Sequence, residues 1–409
     1  MTQKTSFPKN KIRVLLLEDL HPDGIKRLEN EGFSIDSRLD AMDDAELLAA
    51  IKTVHILGIR SKTQLNEAQA QAASRLLAVG AFCIGVNQID TDACASAGIP
   101  VFNAPFSNTR SVAELVIADI IMLFRGLLDK IMAAHHGEWR KDASGSVEVR
   151  GKTLGIVGYG HIGRQVSVLA EALGMRVLYY DVVDKLSMGN AERMPDLQSL
   201  LSRSDVVTMH VPGEPETRKM ISAREIGWMK PGAFLINTSR GSVVDIDALA
   251  AALNAGKLGG AAADVFPSEP KSKDSAFISP LIGLPNVILT PHIGGSTVEA
   301  QRNIGIEVAS KLARFVNNGS TEGAVNFPNV VLPEQAGRHR ILHIHRNVFG
   351  VMSKVNELFG AAGINIASQY LRTLGEIGYL IMDVEKKATS DITKKLAELP
   401  ETIKVRTLF

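Results

Sequence analysis

Short apolar runs alternate with amphipathic helical patterns along most of this chain, and the alternation begins twice. The first series comprises IRVLLLED, VHILGIR, LLAVGA and VFNAP, and the second comprises TLGIVGYG, RVLYYD, DVVTMHVP, AFLINTS, GGAAADVF and NVILTPH. One long helical pattern, from about Ser111 to His136, separates the two series. Because strand–helix–strand repetition is typical of parallel sheets, the sequence predicts two doubly wound α/β units, one of the Rossmann type and one flavodoxin-like.

The C-terminal part of the chain follows a different pattern. A turn-rich stretch, NNGSTEGAVNFPNVVLPEQAG, leads into RILHIHRN, GVMSKVNELFGAAG, INIASQYLRT, GYLIMDVEK, DITKKLAELP and IKVRTLF. We interpret these segments as strand, helix, strand, strand, helix and strand, which is the ferredoxin-like βαββαβ arrangement. A chain of 409 residues is long enough for this third module beside the two α/β units.

The charge balance excludes function classes that depend on a net electrostatic field. Lys and Arg together number 45 and Asp and Glu 44, so the formal net charge is +1. Such a chain has no overall attraction for nucleic acid or for an anionic membrane. The most apolar stretch, residues 115–128, is interrupted by Asp119 and Arg125 and is too short to cross a bilayer. We therefore expect neither a nucleic-acid partner nor a membrane partner.

Cysteine and histidine usage argues against a disulfide framework and against a metal site. Cys83 and Cys94 form no CxxC pair, and the adjacent His135 and His136 point in different directions on a helix. The N-terminal residues contain no apolar segment of the kind that directs secretion. The sequence therefore predicts reduced thiols, a cytoplasmic location and no bound metal.

A glycine-rich turn follows the first strand of the second series. Gly158, Gly160 and Gly163 form a GxGxxG pattern that opens the helical segment IGRQVSVLAEALG. The first glycine permits the tight turn, the second lets the backbone approach a pyrophosphate, and the third packs the helix against the strand. Asp181 ends the next strand, about 20 residues after the last glycine, where a carboxylate accepts from ribose hydroxyls and repels a 2′-phosphate. The pattern predicts NAD, and disfavours NADP, as the cofactor.

Three polar side chains lie at or just beyond strand ends of the second series. Arg240 follows AFLINTS, Glu269 follows GGAAADVF, and His292 ends NVILTPH. The carboxyl ends of parallel strands face one crevice, so these groups should converge. A histidine can take the hydroxyl proton of a 2-hydroxy acid during hydride loss, a glutamate can orient that ring, and an arginine can bind the substrate carboxylate at two points. Each residue alone has an ordinary structural interpretation, whereas the set indicates a dehydrogenase.

With these residues in place, the chain resembles the D-2-hydroxyacid dehydrogenases, and within them the bacterial D-3-phosphoglycerate dehydrogenases with one C-terminal ACT domain. The motifs that carry the resemblance are FNAPFSNTRSVAELVI at 102–117, LGIVGYGHIG at 154–163, MKPGAFLINTSRG at 229–241, ADVFPSEP at 263–270 and LTPHIGGST at 289–297. The resemblance implies NAD-dependent oxidation of 3-phospho-D-glycerate to 3-phosphooxypyruvate, the first step of L-serine biosynthesis. Reduction of 2-oxoglutarate to 2-hydroxyglutarate is a side activity that the sequence leaves open.

The resemblance also assigns residues to three sites. It implies that Arg240, Glu269 and His292 are the catalytic set. Besides the three glycines, the implied NAD contacts are His161, Ile162, Asp181, Thr238, Ser239, Asp264, Gly294 and Gly295. The implied substrate contacts are Arg60, Ser61, Asn108 and Lys141. Arg60 and Ser61 follow the strand VHILGI, where they can offer charge and donors to a phosphate, although an ordinary solvated loop has a similar composition.

A domain plan and an effector site follow from the same resemblance. The substrate domain would be discontinuous, formed by residues 1–106 and 296–336, with the NAD domain at 107–295 and the ACT domain at 337–409. Serine would bind between paired ACT domains of a tetramer, at His345, Asn347 and Asn365. Val348 and Phe349 stand where related enzymes usually carry Arg and Pro, so the strength of serine inhibition stays open.

Two other functions remain alternatives at this point. The first is a dehydrogenase for another 2-hydroxy acid, such as a glyoxylate or hydroxypyruvate reductase. The second is a non-catalytic, NAD-sensing module that uses the same fold for contacts with other proteins. The Arg–Glu–His set and the C-terminal module argue against the second alternative, and turnover of a panel of 2-oxo acids with NADH separates the three.

Overall fold

The computed structural model describes residues 8–270, 275–333, 339–385 and 390–408. The chain forms two compact units. The discontinuous unit consists of Met1–Ser107 and Gln301–Phe409, and the central unit consists of Asn108–Ala300.

A five-stranded parallel sheet forms the N-terminal half of the discontinuous unit. Its elements are β1 (Arg13–Leu16), α1 (Pro22–Glu29), β2 (Ser34–Ser37), α2 (Asp44–Ala50), β3 (Ile56–Ile59), α3 (Glu67–Ala72), β4 (Ala78–Ala81), α4 (Thr91–Ser96) and β5 (Val101–Phe102), after a short 3-10 turn at Lys9–Lys11. The strand order is β2-β1-β3-β4-β5, with every pair parallel. The strands β3 and β4 are buried along their whole length, because helices cover both faces of such a sheet. The order is that of a flavodoxin-like fold, as predicted.

A larger parallel sheet forms the central unit. Its elements are α5 (Thr109–Arg125), α6 (Leu127–His135), β6 (Thr153–Val157), α7 (His161–Ala172), β7 (Arg176–Tyr180), β8 (Glu192–Arg193), α8 (Leu197–Arg203), β9 (Val206–Met209), α9 (Ala223–Trp228), β10 (Ala233–Asn237), α10 (Ile246–Asn254), β11 (Leu258–Ala263) and β12 (Val287–Leu289), with 3-10 turns at Pro215–Thr217 and Gly241–Val243. The seven strands lie in the order β12-β11-β10-β9-β6-β7-β8. The order reverses direction at β6, as in a Rossmann fold, so the switch point lies where β6 and β9 pair.

The prediction of a single long helix over residues 111–136 is wrong. The chain forms α5 and α6 there, and the two are separated by Gly126. Gly126 has a left-handed backbone with φ of 56°, which a residue without a Cβ adopts at little cost. Its N–H donates to the carbonyl of Leu123 and closes the last turn of α5. The apolar pattern continues across Gly126, so the pattern alone does not indicate the break between the two helices.

A four-stranded antiparallel sheet forms the C-terminal part of the discontinuous unit. Its elements are β13 (His339–Arg346), α12 (Val351–Ala361), β14 (Ile366–Leu374), β15 (Ile377–Val384), α13 (Ser390–Ala397) and β16 (Thr402–Leu408), and it is preceded by α11 (Val298–Asn318), which begins in the central unit. The strand order β14-β15-β13-β16 and the element order confirm the predicted βαββαβ arrangement. The boundary expected between residues 336 and 337 lies outside the described residues.

Both faces of this antiparallel sheet are covered at its central strands, β13 and β15, whereas the edge strand β14 is mostly exposed. One face packs on α12 and α13 through side chains such as Val355 and Leu396. The other face carries Leu342 and Tyr379 into the same apolar cluster as Phe315 of α11. Because side chains alternate along a strand, β15 is buried at every position. The module therefore shares a core with α11 inside one unit.

Polar bonds join the same two elements. The buried Arg340 forms a two-point ion pair with Asp383, at 2.7 and 3.0 Å, and also donates to the Asn318 carbonyl at 3.0 Å. The hydroxyl of Tyr379 donates to the Gly319 carbonyl at 2.7 Å, and Arg406 donates to the Val316 carbonyl at 2.7 Å. Carbonyls at a helix C-terminus lack intrahelical partners, so these donors cap α11.

The described ranges contain neither a candidate membrane span nor a candidate metal cluster. None of the helices there is long and apolar enough to span a bilayer. Among the same residues, His, Cys, Asp and Glu form no group of three or more that could hold a metal ion.

Candidate active site

The glycine-rich turn joins β6 to α7 at the switch point of the central sheet. Gly158 has φ of 92°, and a Cβ at this position would lie 2.4 Å from the carbonyl oxygen of His210. A Cβ on Gly163 would lie 2.3 Å from the carbonyl oxygen of Gly158, so neither position accepts a side chain. A Cβ on Gly160, in contrast, would meet open space. The turn thus leaves room over its middle glycine at the N-terminus of α7, which fits the pyrophosphate of a dinucleotide.

Asp181 follows β7, the neighbour of β6 in the sheet. Its Oδ2 accepts from the Tyr159 N–H at 2.8 Å, and its Oδ1 accepts from the Val183 N–H at 2.8 Å. The carboxylate is therefore anchored to the glycine-rich turn and remains partly exposed. Each oxygen keeps capacity for a further hydrogen bond, so the arrangement fits a ribose diol beside the turn.

The loops after β11 and β12 bring the predicted glutamate and histidine together. Nδ1 of His292 lies 2.8 Å from Oε2 of Glu269, and Oε1 of Glu269 accepts from the Phe266 N–H at 3.1 Å. The hydrogen bond that Glu269 accepts from the ring raises the pKa of His292, and burial opposes that rise only in part. Burial acts to raise the pKa of Glu269, but the hydrogen bonds with His292 and Phe266 outweigh burial and lower it. Nε2 of His292 is left to face a substrate.

Arg240 lies beside this pair, after β10. Its carbonyl accepts from the Asn237 side chain at 3.0 Å, and its Nη1 donates to the Ser239 carbonyl at 2.8 Å. Its charge lowers the pKa of Glu269 and opposes the rise at His292, although in each case as the smallest contribution. A Cβ on the next residue, Gly241, would lie 2.0 Å from the Phe266 carbonyl carbon. Only a glycine lets the Arg240 loop approach the strand end this closely.

Asp264 shapes the loop that carries the histidine. Its carboxylate accepts from the Thr290 hydroxyl at 2.6 Å, from the Ile293 N–H at 2.8 Å and from the Gly294 N–H at 2.8 Å. His292 adopts a positive φ of 55°, which is uncommon for a residue with a side chain. The three bonds to Asp264 hold this backbone. The sequence had indicated Asp264 only as a cofactor contact, and Thr290 was not predicted at all.

Asp119 is a second group that the sequence did not assign to the site. It belongs to α5 and is only 4% exposed. Burial, followed by the charge of Asp264, raises the pKa of Asp119 to about 7. In the sequence Asp119 only interrupts an apolar stretch, and nothing in that pattern relates it to Asp264.

The predicted substrate residues lie in both units. Arg60 and Ser61 follow β3 in the discontinuous unit, where Arg60 is half-buried and Ser61 exposed. Asn108 precedes α5 in the central unit, and a Cβ on Gly295 would lie 2.3 Å from its Nδ2. Lys141 is exposed in the same unit.

Comparison with known proteins adds independent evidence to this geometry. Residues 117–294 match the model of the D-isomer specific 2-hydroxyacid dehydrogenase NAD-binding domain, and residues 341–404 match an ACT domain like that of the AHAS small subunit. The D-3-phosphoglycerate dehydrogenase of Haemophilus influenzae is 53% identical over 410 residues and covers all of both chains. The chain belongs to the D-3-phosphoglycerate dehydrogenase family. It is an NAD-dependent dehydrogenase with a C-terminal ACT domain.

Further relatives place this family member within a wider group. The D-3-phosphoglycerate dehydrogenase of Dictyostelium discoideum is 48% identical over the whole of both chains. Among solved structures, the D-lactate dehydrogenase of Aquifex aeolicus, with NAD and lactic acid, is 30% identical with a TM-score of 0.66, covering 75% of this chain and 96% of its own. A glyoxylate reductase structure from Paecilomyes thermophila is 27% identical with a TM-score of 0.67, covering 76% of this chain and 98% of its own. In sequence, the two D-3-phosphoglycerate dehydrogenases are thus markedly more similar to this chain than the D-lactate dehydrogenase and the glyoxylate reductase are.

The ACT domain of this family member places two of the predicted effector residues, His345 and Asn347, at the C-terminal end of β13, and the third, Asn365, at the opposite end of the sheet. His345 is 2% exposed, its Nδ1 lies 2.9 Å from the Arg346 carbonyl, and its Nε2 has no partner. Nδ2 of Asn347 donates to the Gly375 carbonyl at 3.1 Å. Asn365 is exposed and immediately precedes β14, and Phe349 is fully exposed. Nε2 of His345 is therefore able to bond a ligand, a capacity that it shares with Nδ1 of His210, His339 and His343.

Proposed function

We propose that this enzyme oxidises 3-phospho-D-glycerate to 3-phosphooxypyruvate with NAD, reversibly, and so performs the first step of L-serine biosynthesis. The observation that carries the proposal is the His292–Glu269 pair beside Arg240, at the strand ends of a Rossmann fold. The glycine-rich turn of that fold leaves open space over Gly160, where a dinucleotide can bind. Similarity to D-3-phosphoglycerate dehydrogenases over the full length supports the substrate. A cytoplasmic location agrees with that chemistry.

The residues of the site account for each proton and charge in this reaction. NAD, when bound, accepts the hydride from C2 of the substrate. Nε2 of His292 takes the hydroxyl proton, because Nδ1 is engaged by Glu269. The Glu269 carboxylate stabilises the imidazolium that results, and Arg240 binds the substrate carboxylate and orients C2. In the reverse reaction His292 returns the proton to the carbonyl oxygen.

We infer the remaining contacts from the positions of the residues. NAD would be held by Gly158, Gly160, His161, Ile162, Gly163, Asp181, Thr238, Ser239, Asp264, Gly294 and Gly295. Replacing Gly160 with Ala tests this set, because a methyl group there meets open space in the protein and would obstruct only a bound dinucleotide. We expect weaker NADH binding with unchanged stability. Gly227→Ala, another position with open space, is the matched control and should bind NADH as the wild type does.

Arg60, Ser61, Asn108 and Lys141 are the proposed substrate contacts. Arg60 is the main candidate for the phosphate, because a guanidinium binds it through two parallel hydrogen bonds. A panel of 2-oxo acids with NADH decides the substrate class: phosphooxypyruvate, glyoxylate, hydroxypyruvate and 2-oxoglutarate. A clear preference for phosphooxypyruvate supports the proposal, and equal turnover of glyoxylate or hydroxypyruvate contradicts it. The rate with 2-oxoglutarate shows whether the predicted side activity exists.

We also propose that serine binds between paired ACT domains of a tetramer, where His345 and Asn347 of one copy can meet Asn365 of another, because within one chain these residues lie at opposite ends of the sheet. Asn347 and Asn365 are exposed, so replacing either with Ala should cost little stability. We expect both variants to need more serine than the wild type for half-inhibition, while Gln369→Ala, exposed on β14, behaves as the wild type. Unchanged responses in both variants would place the effector elsewhere. Deleting the domain is a poor test, because it shares a core with α11.

A further inference from the structure

A buried glutamate lies at the carboxyl end of β1, next to the loop that carries Arg60. Glu18 is 6% exposed and lies two residues after the end of β1. Its Oε1 accepts from the N–H groups of Arg60 at 3.3 Å and Thr63 at 2.9 Å. Its Oε2 accepts from the N–H groups of Ser61 at 3.0 Å and Lys62 at 2.9 Å. One carboxylate thus binds four consecutive backbone amides.

The backbone at Glu18 and Asp19 adopts a conformation that is unfavourable for residues with side chains. Glu18 has φ of 71° and Asp19 has φ of 51°, and two successive residues with side chains rarely adopt this region. Such conformations persist only where the surroundings determine them. The carbonyl of Glu18 also accepts from Nη1 of Arg60 at 3.4 Å. Side chain and main chain of Glu18 therefore both contact the Arg60 loop.

The loop is fixed from its other side as well. The carbonyl of Arg60 accepts a hydrogen bond from Nε2 of Gln88, which also lies 3.3 Å from Sγ of Cys83. Since Glu18 holds the N–H of Arg60 and Gln88 holds its carbonyl, both peptide groups of this residue are fixed. The direction in which the Arg60 side chain projects from the backbone is therefore fixed.

This geometry changes what the Arg60 loop can offer an anion. Four consecutive amides that point to one centre form a concave site for an anion. In this enzyme the site is filled by the chain's own carboxylate. A substrate phosphate cannot use those amides, so the loop must recognise it through side chains. The backbone donors of residues 60–63, which could have served a phosphate, are bonded to Glu18 instead.

We propose that Glu18 is a positioning residue for phosphate recognition: its carboxylate organises residues 60–63 and so holds Arg60 in the orientation that binds the substrate phosphate. The inference rests on the proposed function, since it presupposes a phosphorylated substrate. Glu18 itself does not touch the substrate. Its contribution is to selectivity between phosphorylated and unphosphorylated substrates.

Replacing Glu18 with Gln tests the proposal with little change in volume. An amide group keeps one acceptor oxygen but turns an NH₂ group toward two of the four N–H donors. We expect kcat/KM for phosphooxypyruvate to fall about tenfold through a higher KM, because bonds to a charged group are lost from the loop that orients Arg60. The kcat/KM for hydroxypyruvate, which lacks the phosphate, and the Kd for NADH should stay within about twofold of the wild type.

Four further variants complete the experiment, one of them a double variant. Asp40→Asn removes the charge of an exposed residue whose backbone carbonyl accepts from the N–H of Glu18. The substitution keeps that backbone contact, so this variant controls for loss of charge and should behave as the wild type. Arg60→Ala should lose the same selectivity, and adding Glu18→Gln to it should cost little more, because the two act in one chain of contacts. If Glu18→Gln does not fold, Glu18→Asp keeps the charge but is one methylene too short to span all four amides, and should show a smaller loss of the same kind.

The outcomes separate this inference from the function on which it rests. A wild-type enzyme without preference for phosphooxypyruvate overturns the proposed function, and this inference with it. A wild-type enzyme with that preference, combined with Glu18 variants that keep it, overturns only the inference. Equal losses for both substrates in the Glu18 variants show a purely structural role and also overturn it.

Discussion

His292 and Arg60, two residues of the proposed site, lie on loops that are each folded on a buried carboxylate. In the central unit, Asp264 accepts from two backbone N–H groups and a hydroxyl of the loop that carries His292. In the discontinuous unit, Glu18 accepts from four N–H groups of the loop that begins at Arg60. The histidine has a second carboxylate, Glu269, on its ring, at 2.8 Å.

The difference between the loops reflects the chemistry of the two side chains. Histidine titrates near neutrality, so its function depends on a partner that sets its pKa and tautomer. Arginine keeps its charge throughout the physiological range, so its loop has only to fix a direction. One carboxylate is enough for a geometric task, whereas an acid–base task requires a second one.

The largest expected effect tests the acid–base side of this comparison. His292→Ala removes the proton acceptor, so we expect kcat to fall on the order of 10²-fold or more. NADH binding, measured by fluorescence titration, should survive, because the ring is not part of the glycine-rich turn. A kcat near that of the wild type would show that another group takes the proton.

The geometric side of the comparison predicts a loss of stability. Glu18→Ala leaves four N–H donors of the Arg60 loop without their acceptor, so we expect the free energy of unfolding to fall by about 2 kcal/mol. Glu269→Ala should cost less than about 1 kcal/mol, since the side chain is 36% exposed and accepts from one backbone N–H. Urea denaturation at equal protein concentration measures both, and equal losses would remove the distinction between the two carboxylates.

Glu269→Gln addresses the titration of the histidine. In the wild type the carboxylate raises the pKa of His292, and oxidation requires the neutral ring, so kcat/KM for oxidation should rise with pH through that raised pKa. Without the carboxylate the pKa falls, and the rising limb should move to lower pH. We also expect kcat to fall on the order of tenfold, because the imidazolium loses its counter-charge. A pH profile identical to that of the wild type would show that Glu269 does not set this pKa.

The smallest expected effect concerns the support of the histidine loop. Thr290→Val removes the hydroxyl that donates to Asp264 at 2.6 Å, while the two N–H bonds to Asp264 remain. We expect kcat to fall about threefold, as for one lost hydrogen bond out of three. Thr290→Ser keeps the hydroxyl and should restore the wild-type rate; if it does not, the methyl group of Thr290 is the important contact.

Much of the fold and part of the site could be predicted from the sequence, because they depend on local patterns. The GxGxxG turn follows a strand and opens a helix, and Glu269 and His292 lie at or after strand ends, so the topology of a parallel sheet brings them together. The fold class was confirmed for the same reason. The four-residue strand β2 was not identified, because its sequence SIDS is polar and lies at a sheet edge.

The carboxylates that organise the loops could not be predicted in the same way. Glu18 binds amides 42 to 45 residues further along the chain, and backbone amides leave no trace in a sequence. In IRVLLLED it reads as an ordinary acid after a strand. The one usable signal is its position directly beyond a buried strand in a parallel sheet, where side chains face the functional edge.

The shared core of the antiparallel sheet and α11 has a consequence for cooperativity. Phe315, Leu342 and Tyr379 belong to one apolar cluster, and the last carbonyls of α11 are capped by side chains from that sheet. Neither sheet of the discontinuous unit can lose its structure without uncovering apolar surface on the other. The parallel and antiparallel sheets should therefore melt in a single transition, and an effector that stabilises one stabilises the other by the same free energy.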